Sequence, residues 1–242
     1  MKILLTRPQG RNQLMVEALL ARGVAHLVTP LLQVEATQEQ QQGHGMALMQ
    51  HADIIIFIST NAVKFSAQAI KQTWPREAQF YAVGEATQNA LAQLGVSAQE
   101  APQDCQQTEG LLTLPQLQSL SNKKIVIVRG VGGRETLANE LTLRGADVSY
   151  WEVYRRACPT LTSTSNAQVW QQAKIDTIVI TSGEILDNLI KLVPKELFAW
   201  LRACHIIVPS SRVQEQAIAN GFQHVTNAKA ANCKAIIVAL GL

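Results

Sequence analysis

Short apolar runs of strand length recur along the whole chain, and they restrict the fold more than any other feature. They are "KILLT" (2–6), "AHLVT" (25–29), "DIIIFI" (53–58), "FYAVG" (80–84), "KIVIV" (124–128), "DVSYWEVY" (147–154), "DTIVIT" (176–181), "HIIVP" (205–209) and "KAIIVAL" (234–240). The last reads equally as the end of a helix. Most are β-branched and apolar on both faces, as strands covered by helices on both sides should be. Segments with helical spacing lie between them. In "NQLMVEALLARG", Met15 and Leu19 repeat at i,i+4 and Gly23 supplies a stop. This alternation predicts parallel α/β sheets.

A chain of 242 residues is long enough for two such domains, each of roughly 100–130 residues. It also carries an internal echo. An offset of 122 places Arg7 on Arg129, Met15 on Leu137, Leu19 on Leu141 and Arg22-Gly23 on Arg144-Gly145. An offset of 123 places Asp53 on Asp176 and Ser59 on Ser182, and one of 126 places Gly95 on Gly221. The matches are few but fall in order, and we read them as a duplication. The alternative is that any two α/β halves align this way. Offsets alone suggest tandem domains dividing near 121. The polar stretches "ATQEQQQGHG" (36–45) and "CPTLTSTSNA" (158–167) are the two linker-like segments.

The segment "KIVIVRGVGGRE" (124–135) has the outline of a nucleotide-binding loop: a strand, a glycine-rich turn and a helix start. The details argue against that function. Three residues after Gly132 comes Glu135, where G-x-G-x-x-G needs glycine, and no Walker A lysine is present. The first copy of the repeat, "TRPQGRN", has Pro8 where Gly130 stands. What remains is a turn into a helix N-terminus flanked by Arg129 and Arg134, a favourable place for a carboxylate or a phosphate. A turn whose glycines serve geometry alone fits equally well.

Three further strand ends, "FISTNAV" (57–63), "VGEATQNAL" (83–91) and "VITSGEIL" (179–186), leave through Ser, Thr or Gly into a helix. Ser59, Thr87 and Ser182 each read singly as N-caps. Together, at the carboxyl ends of parallel strands, they suit a polyanion. "VPSSRV" (208–213) is a weaker case. No nucleophile–base pair and no metal spacing is readable among the five histidines, and the four scattered cysteines point to reduced thiols. The net charge of +3 does not suggest a nucleic-acid partner. Neither a signal-peptide core nor an apolar stretch of bilayer length appears, so a soluble cytoplasmic protein with no membrane association is expected. Tyr154, in "SYWEVYRR", stands out in a chain with only 5% aromatics, though it also reads as a packing residue between domains.

In order along the chain, "ILLTRP", "TPLLQVE", "IFISTNAV", "AVGEAT", "LLTLPQL", "RGVGGRE", "RGADVSYWEVYRR" and "VITSGEIL" resemble the uroporphyrinogen-III synthase family, particularly its bacterial members. The resemblance implies two similar parallel-sheet α/β domains of flavodoxin-like topology, joined by a two-stranded linker with a cleft between them. The chain would start in one domain (1–34), build the whole of the second (38–152) and return (158–242), with linker strands near 34–37 and 153–158. Each domain would then draw strands from both halves of the repeat.

The reaction implied is closure of linear hydroxymethylbilane to uroporphyrinogen III, with loss of water and inversion of ring D through a spiro intermediate. It needs no cofactor, because the pyrroles supply the electrons, and no metal. The protein's part is mainly orientation with modest acid assistance. By position, the family's catalytic tyrosine falls on Tyr154, a phenol that carries its proton at neutral pH. The family's substrate-contacting threonine and serines fall on Thr87, Ser59 and Ser182. The turn at Arg129 and Gly130, read above as an anion site, completes the expected substrate-binding set in the cyclase reading. Where many relatives have a Gly-Pro-Thr-Thr-like turn, this chain has "PSSRV", which puts Ser211 and Arg212 there, the latter as a carboxylate contact. The implied partners are the bilane and its donor enzyme, hydroxymethylbilane synthase, and a monomer is the default. A non-catalytic two-lobed protein binding a polycarboxylate, and an inactive member of the family, are the alternatives.

Overall fold

The structure, a computed structural model, describes residues 1–38, 43–71, 73–160 and 163–242. In chain order the strands are β1 (Ile3–Leu5), β2 (His26–Val28), β3 (Gln33–Ala36), β4 (Ile54–Phe57), β5 (Gln79–Ala82), β6 (Gln99–Glu100), β7 (Lys124–Gly130), β8 (Asp147–Ala157), β9 (Thr177–Val179), β10 (His205–Val208) and β11 (His224–Asn227). The α-helices are α1 (Gln13–Leu20), α2 (His44–Gln50), α3 (Thr60–Ala69), α4 (Glu85–Ala92), α5 (Thr108–Leu111), α6 (Thr136–Leu143), α7 (Ser163–Gln172), α8 (Gly183–Leu192), α9 (Phe198–Ala203), α10 (Ser211–Ala219) and α11 (Cys233–Ala239).

The chain divides into two compact units, Met1–Gln33 with Ala157–Leu242, and Val34–Arg156. In the first, a parallel sheet runs β11-β10-β9-β1-β2. In the second the order is β3-β8-β7-β4-β5-β6, parallel from β8 to β6. Taking β11, β10, β9, β1 and β2 against β6, β5, β4, β7 and β8, the two orders are the same. Because β7 pairs with β4 inside one sheet, the division near 121 that offsets alone suggest does not occur. Each sheet is assembled from both halves of the chain.

Strand alternation explains how both sheets are covered. In the first unit Leu4, Ile178, Ile206 and Val208 face Leu186, Leu189, Val213 and Trp170, while Ile3, Leu5, Val179 and Ile207 face Met15, Leu19, Ile236 and Ile237. In the second, Ile55, Phe57, Val126, Val128, Trp151 and Val153 face Met49, Val63, Phe65 and Leu91. Ile54, Ile56, Tyr81, Ile125 and Ile127 face Leu111, Leu117, Leu137 and Leu141. All these residues are buried, and removing their apolar surface from water drives each unit to fold.

The echoed residues hold equivalent places. Asp53, just before β4, accepts the Lys124 amide at 2.8 Å. Asp176, just before β9, accepts the Lys2 amide at 3.0 Å. Each carboxylate thus ties together the starts of two adjacent strands. Ser59 and Ser182 cap α3 and α8, accepting the amides of Ala62 at 3.0 Å and Ile185 at 3.3 Å.

Two segments depart from the sequence reading, and a third, left open there between strand and helix, is resolved. "KAIIVAL" lies in α11, since a short apolar run carries no period that separates a strand from a buried helix. The edge strand is β11, whose "HVTN" lacks the apolar run of a central strand. Of the linker-like stretches, 163–167 begin α7, whereas 39–42 and 161–162 lie outside the described residues. Among the described residues no helix is long and apolar enough to cross a membrane.

Two expected outcomes test this packing. A Cβ on Gly45 would sit 1.9 Å from Cδ1 of the fully buried Trp151. Gly45→Ala in α2 should therefore destabilise the protein by about 1–3 kcal/mol through overpacking, reversing the ~1 kcal/mol gain that helix propensity alone predicts. Urea unfolding measures the sign. The Lys124 amide holds the Asp53 carboxyl below its ordinary range. Asp176 is also lowered: burial pushes it up, but the Thr177 hydroxyl and the Lys2 amide outweigh that. A lowered carboxyl stabilises above its unfolded pKa, and the contribution disappears as pH falls through the folded one. The stability gap between wild type and Asp53→Asn or Asp176→Asn should be small at pH 7, because both carboxylates are solvent-screened, and should close on acidification. A gap that persists in acid would contradict this origin.

Candidate active site

In a parallel sheet the carboxyl ends of the strands are where loops converge and ligands bind. In the Val34–Arg156 unit the ends of β4, β7 and β8 meet at Tyr154. Its hydroxyl lies 3.0 Å from Ser59 Oγ, and its ring stacks on Phe65 at 5.8 Å between centroids. Ser59 Oγ already accepts the Ala62 amide as the cap of α3, so the helix start fixes where this oxygen sits.

Alternation along β8 would put Tyr154 on the face of Tyr150, opposite Trp151 and Val153. It lies instead with Trp151 and Val153. The cause is a break in register: Arg129 is opposite Glu152, but the next residue, Gly130, is opposite Tyr154. One extra residue on β8 is a β-bulge, which re-aims a side chain. The tyrosine ring then lies flat against β7. A Cβ on Gly130 would approach its Cε2 to 2.5 Å and its Cζ to 2.6 Å, so only glycine fits beneath this ring. The Val131 amide donates to the Tyr154 carbonyl at 2.8 Å and secures the backbone on the far side of the bulge.

The turn that follows is built around Arg129, which is 2% exposed. Its Nε donates to the Gly130 carbonyl at 3.2 Å, Nη1 to Glu135 Oε1 at 3.1 Å, and Nη2 to the Gly132 carbonyl. Glu152 Oε1 lies 3.9 Å from Nε and accepts the Gly132 amide at 3.2 Å. The guanidinium rests on the Tyr150 ring at 4.6 Å from its centroid, and the Tyr150 hydroxyl donates to Glu135 Oε2. Gly132 and Gly133 have φ of 75° and 108°, and a Cβ on Gly133 would meet Arg129 Nη2 at 2.8 Å. The cation and one of the turn's amides are thus engaged by the protein's own carboxylates.

Thr87, read as a hydroxyl contact, is 4% exposed in the first turn of α4, at the end of the strand next to β4. Its amide donates to the Gly84 carbonyl at 3.0 Å.

The remaining expected residues belong to the other unit. Ser182 caps α8 at the end of β9. Ser211 is the first residue of α10, Ser210 holding the cap position, and its Oγ accepts from Asn227 Nδ2 at 3.2 Å. Arg212 is exposed, and its Nη1 would lie 3.4 Å from a Cβ on Gly183, beneath which Gln216 also packs. Among the described residues no cluster of three or more His, Cys, Asp or Glu could hold a metal ion, and the four cysteines are free thiols.

Sequence reasoning missed Phe65, Glu135, Tyr150 and Glu152 around this end of the sheet. Phe65 had a signal, an aromatic at i+6 from a capping serine on the face α3 buries. For the acids the signal was the buried position of Arg129 at the end of an apolar strand, since a buried cation requires partners.

Residues 13–237 match the family model described as uroporphyrinogen-III synthase HemD. Uroporphyrinogen-III synthase of Escherichia coli K12 is 34% identical over 99% of this chain and 100% of its own length, and that of Salmonella typhimurium LT2 is 33% identical over the same shares. Among solved structures, uroporphyrinogen-III synthetase from Helicobacter pylori superposes with a TM-score of 0.61 at 16% identity, covering 99% of this chain and 98% of that one. A mutant uroporphyrinogen III synthase from Thermus thermophilus does so at 0.56 and 16%, covering 100% and 99%. With a family model spanning nearly its entire length and full-length relatives above 30% identity, the chain belongs to the uroporphyrinogen-III synthase family.

Proposed function

We propose that the protein closes linear hydroxymethylbilane to uroporphyrinogen III, as a cyclising hydro-lyase that eliminates water and inverts ring D through a spiro intermediate. Family membership supports the activity. The observation that carries the chemical reading is the Tyr154 hydroxyl, 3.0 Å from a serine whose position is fixed by a helix cap.

The proton inventory gives the pair its direction. Ser59 Oγ accepts the Ala62 amide and still has one proton to donate. When it donates to the tyrosine oxygen, the phenolic proton is free to point at a leaving hydroxyl. The same bond then steadies negative charge building on the phenol oxygen as that proton moves. Tyr154 is the acid in this reading, Ser59 its support, and departure of water leaves an azafulvenium cation on the bilane. Ring D attacks through its substituted carbon to give the spiro intermediate, whose original bond from that carbon to the ring C methylene breaks. The methylene then closes on the free α-carbon of ring D, and the proton this carbon releases restores the phenol. The pyrroles supply the electrons for each step. The enzyme's advantage over spontaneous closure to the type I isomer is the folded pose of the chain.

Thr87 is proposed as a hydroxyl contact for the substrate. Ser182, Ser211 and Arg212, in the other unit, are proposed as contacts to its carboxylates on the family resemblance. Residues 34–37 and 153–158 are proposed as the strands linking two domains. A cytoplasmic location and direct hand-over of the unstable bilane from hydroxymethylbilane synthase complete the proposal.

Freshly prepared hydroxymethylbilane given to the purified protein should yield type III uroporphyrinogen, resolved from type I by chromatography after oxidation. Type I at the level of the enzyme-free control would refute the cyclase reading and favour a binding protein. Tyr154→Phe should slow type III formation by roughly 10²-fold while leaving the fold intact by circular dichroism. A loss of only two- or threefold would remove the acid role. Thr87→Ala should lose less activity than Tyr154→Phe, and the reverse order would make the threonine the more important group.

A further inference from the structure

We propose that Arg129, Glu135 and Tyr150 form a clamp that positions Tyr154 from the opposite face of the sheet, so that all three are positioning residues for the reaction. The inference deepens the cyclase reading and rests on it for its kinetic part.

The route from clamp to phenol is short and continuous. Arg129 projects to the face carrying Tyr150, whereas Gly130 turns its missing side chain to the other face, under the Tyr154 ring. Arg129 Nε donates to the carbonyl of Gly130 itself, and Nη2 to that of Gly132, so the guanidinium sets the orientation of the peptides on which the ring rests. The next amide, Val131, donates to the Tyr154 carbonyl. Moving Arg129 therefore moves both the floor beneath the ring and one anchor of its backbone.

Glu135 and Tyr150 determine where Arg129 lies. The carboxylate takes Nη1 on one oxygen and the Tyr150 hydroxyl on the other, and the Tyr150 ring supports the guanidinium plane. The Tyr150 hydroxyl and Arg129 hold the Glu135 carboxyl below its ordinary range. Burial and the neighbouring Glu135 push the Tyr150 phenol up to about 12. Both groups thus keep one protonation state around neutrality, as a fixed support requires. A guanidinium with this many inward partners is not available to a substrate carboxylate, which gives Arg129 a different role from a direct anion contact.

Three tyrosines, Tyr81, Tyr150 and Tyr154, make the test tractable, because 13Cζ-tyrosine labelling gives three resonances assignable by single Tyr→Phe variants. Glu135→Gln and Tyr150→Phe should shift or broaden the Tyr154 signal in the substrate-free protein. Both should lower kcat by roughly 10- to 100-fold, as misplacement of a reacting group does, with KM changed by less than about threefold. Arg129→Lys should do the same, since an ammonium lacks the planar fork. These variants avoid the folding failure that Arg129→Ala risks. Glu109→Gln, which removes the exposed Arg134–Glu109 pair at 3.1 Å from the same turn, should leave signal and rate unchanged.

An unmoved Tyr154 resonance with kcat retained in Glu135→Gln and Tyr150→Phe would overturn the clamp while leaving the cyclase reading intact. A moved resonance in a protein whose wild type makes no type III product would uphold the positioning and overturn the cyclase reading. A rise in KM alone would return Arg129 to substrate binding and refute the proposal.

Discussion

The contact between the Tyr154 ring and the bare backbone of Gly130 organises this end of the Val34–Arg156 unit. It exists because the pairing of β7 with β8 slips by one residue between Arg129 and Gly130. Without the slip, alternation would send Tyr154 to the face of Tyr150 and away from Ser59 and Phe65. With it, two consecutive side chains, Val153 and Tyr154, share one face: the first buried in the core, the second at its rim. A bulge leaves a strand locally short of ladder bonds. Here the deficit is made up from outside the ladder, by the Val131 amide on the Tyr154 carbonyl and the Glu152 carboxylate on the Gly132 amide.

The duplication puts this arrangement in perspective. Asp53 and Asp176 perform the same task at the strand starts, and Ser59 and Ser182 the same task at the helix starts. These are generic duties of an α/β unit, and both copies keep the residues that perform them. The turn after the first strand of the echo is different. In one copy "TRPQGRN" leads to α1, with Asn12 Nδ2 donating to the Arg7 carbonyl at 2.9 Å and Arg7 half-buried. In the other, Arg129 is fully buried and braced by acids. Equivalent arginines therefore sit in different environments, and the asymmetry lies where the tyrosine is found.

Much of the scaffold was legible in the sequence because parallel strands buried on both faces have few alternatives. "DIIIFI", "KIVIV" and "DTIVIT" form the centres of both sheets. Edges were less legible: "HVTN" pairs on one side only and need not be apolar, while "KAIIVAL" satisfies the composition of a strand and the burial of a helix. At the site, Ser59 was legible as a cap and Tyr154 as an unusual aromatic, but their 3.0 Å contact was not, because a bulge leaves no mark in composition. Arg129 shows most clearly why. Its charge, beside three glycines, reads as an anion site until the positions of Glu135, Tyr150 and Glu152 are known. Those residues reach it from six, 21 and 23 places further along the chain.

The glycines of "RGVGGRE" thus have two separate physical causes. Gly130 is required by an aromatic ring on one face of the sheet, and Gly133 by a guanidinium on the other together with its positive φ. A turn that has to bring its backbone close to a bound anion would leave its amides free, yet the Gly132 amide is taken by Glu152. A chemistry that depends on orientation more than on strong acid or base places its demand on such internal bracing. In the acid role proposed for it, the phenol would contribute little unless held within a fraction of an ångström of its working position. A ring resting on backbone, over a peptide gripped by a buried guanidinium, has far less freedom than a side chain at the tip of a loop. In the proposed mechanism, therefore, the polar residues around the tyrosine serve through their commitment to one another.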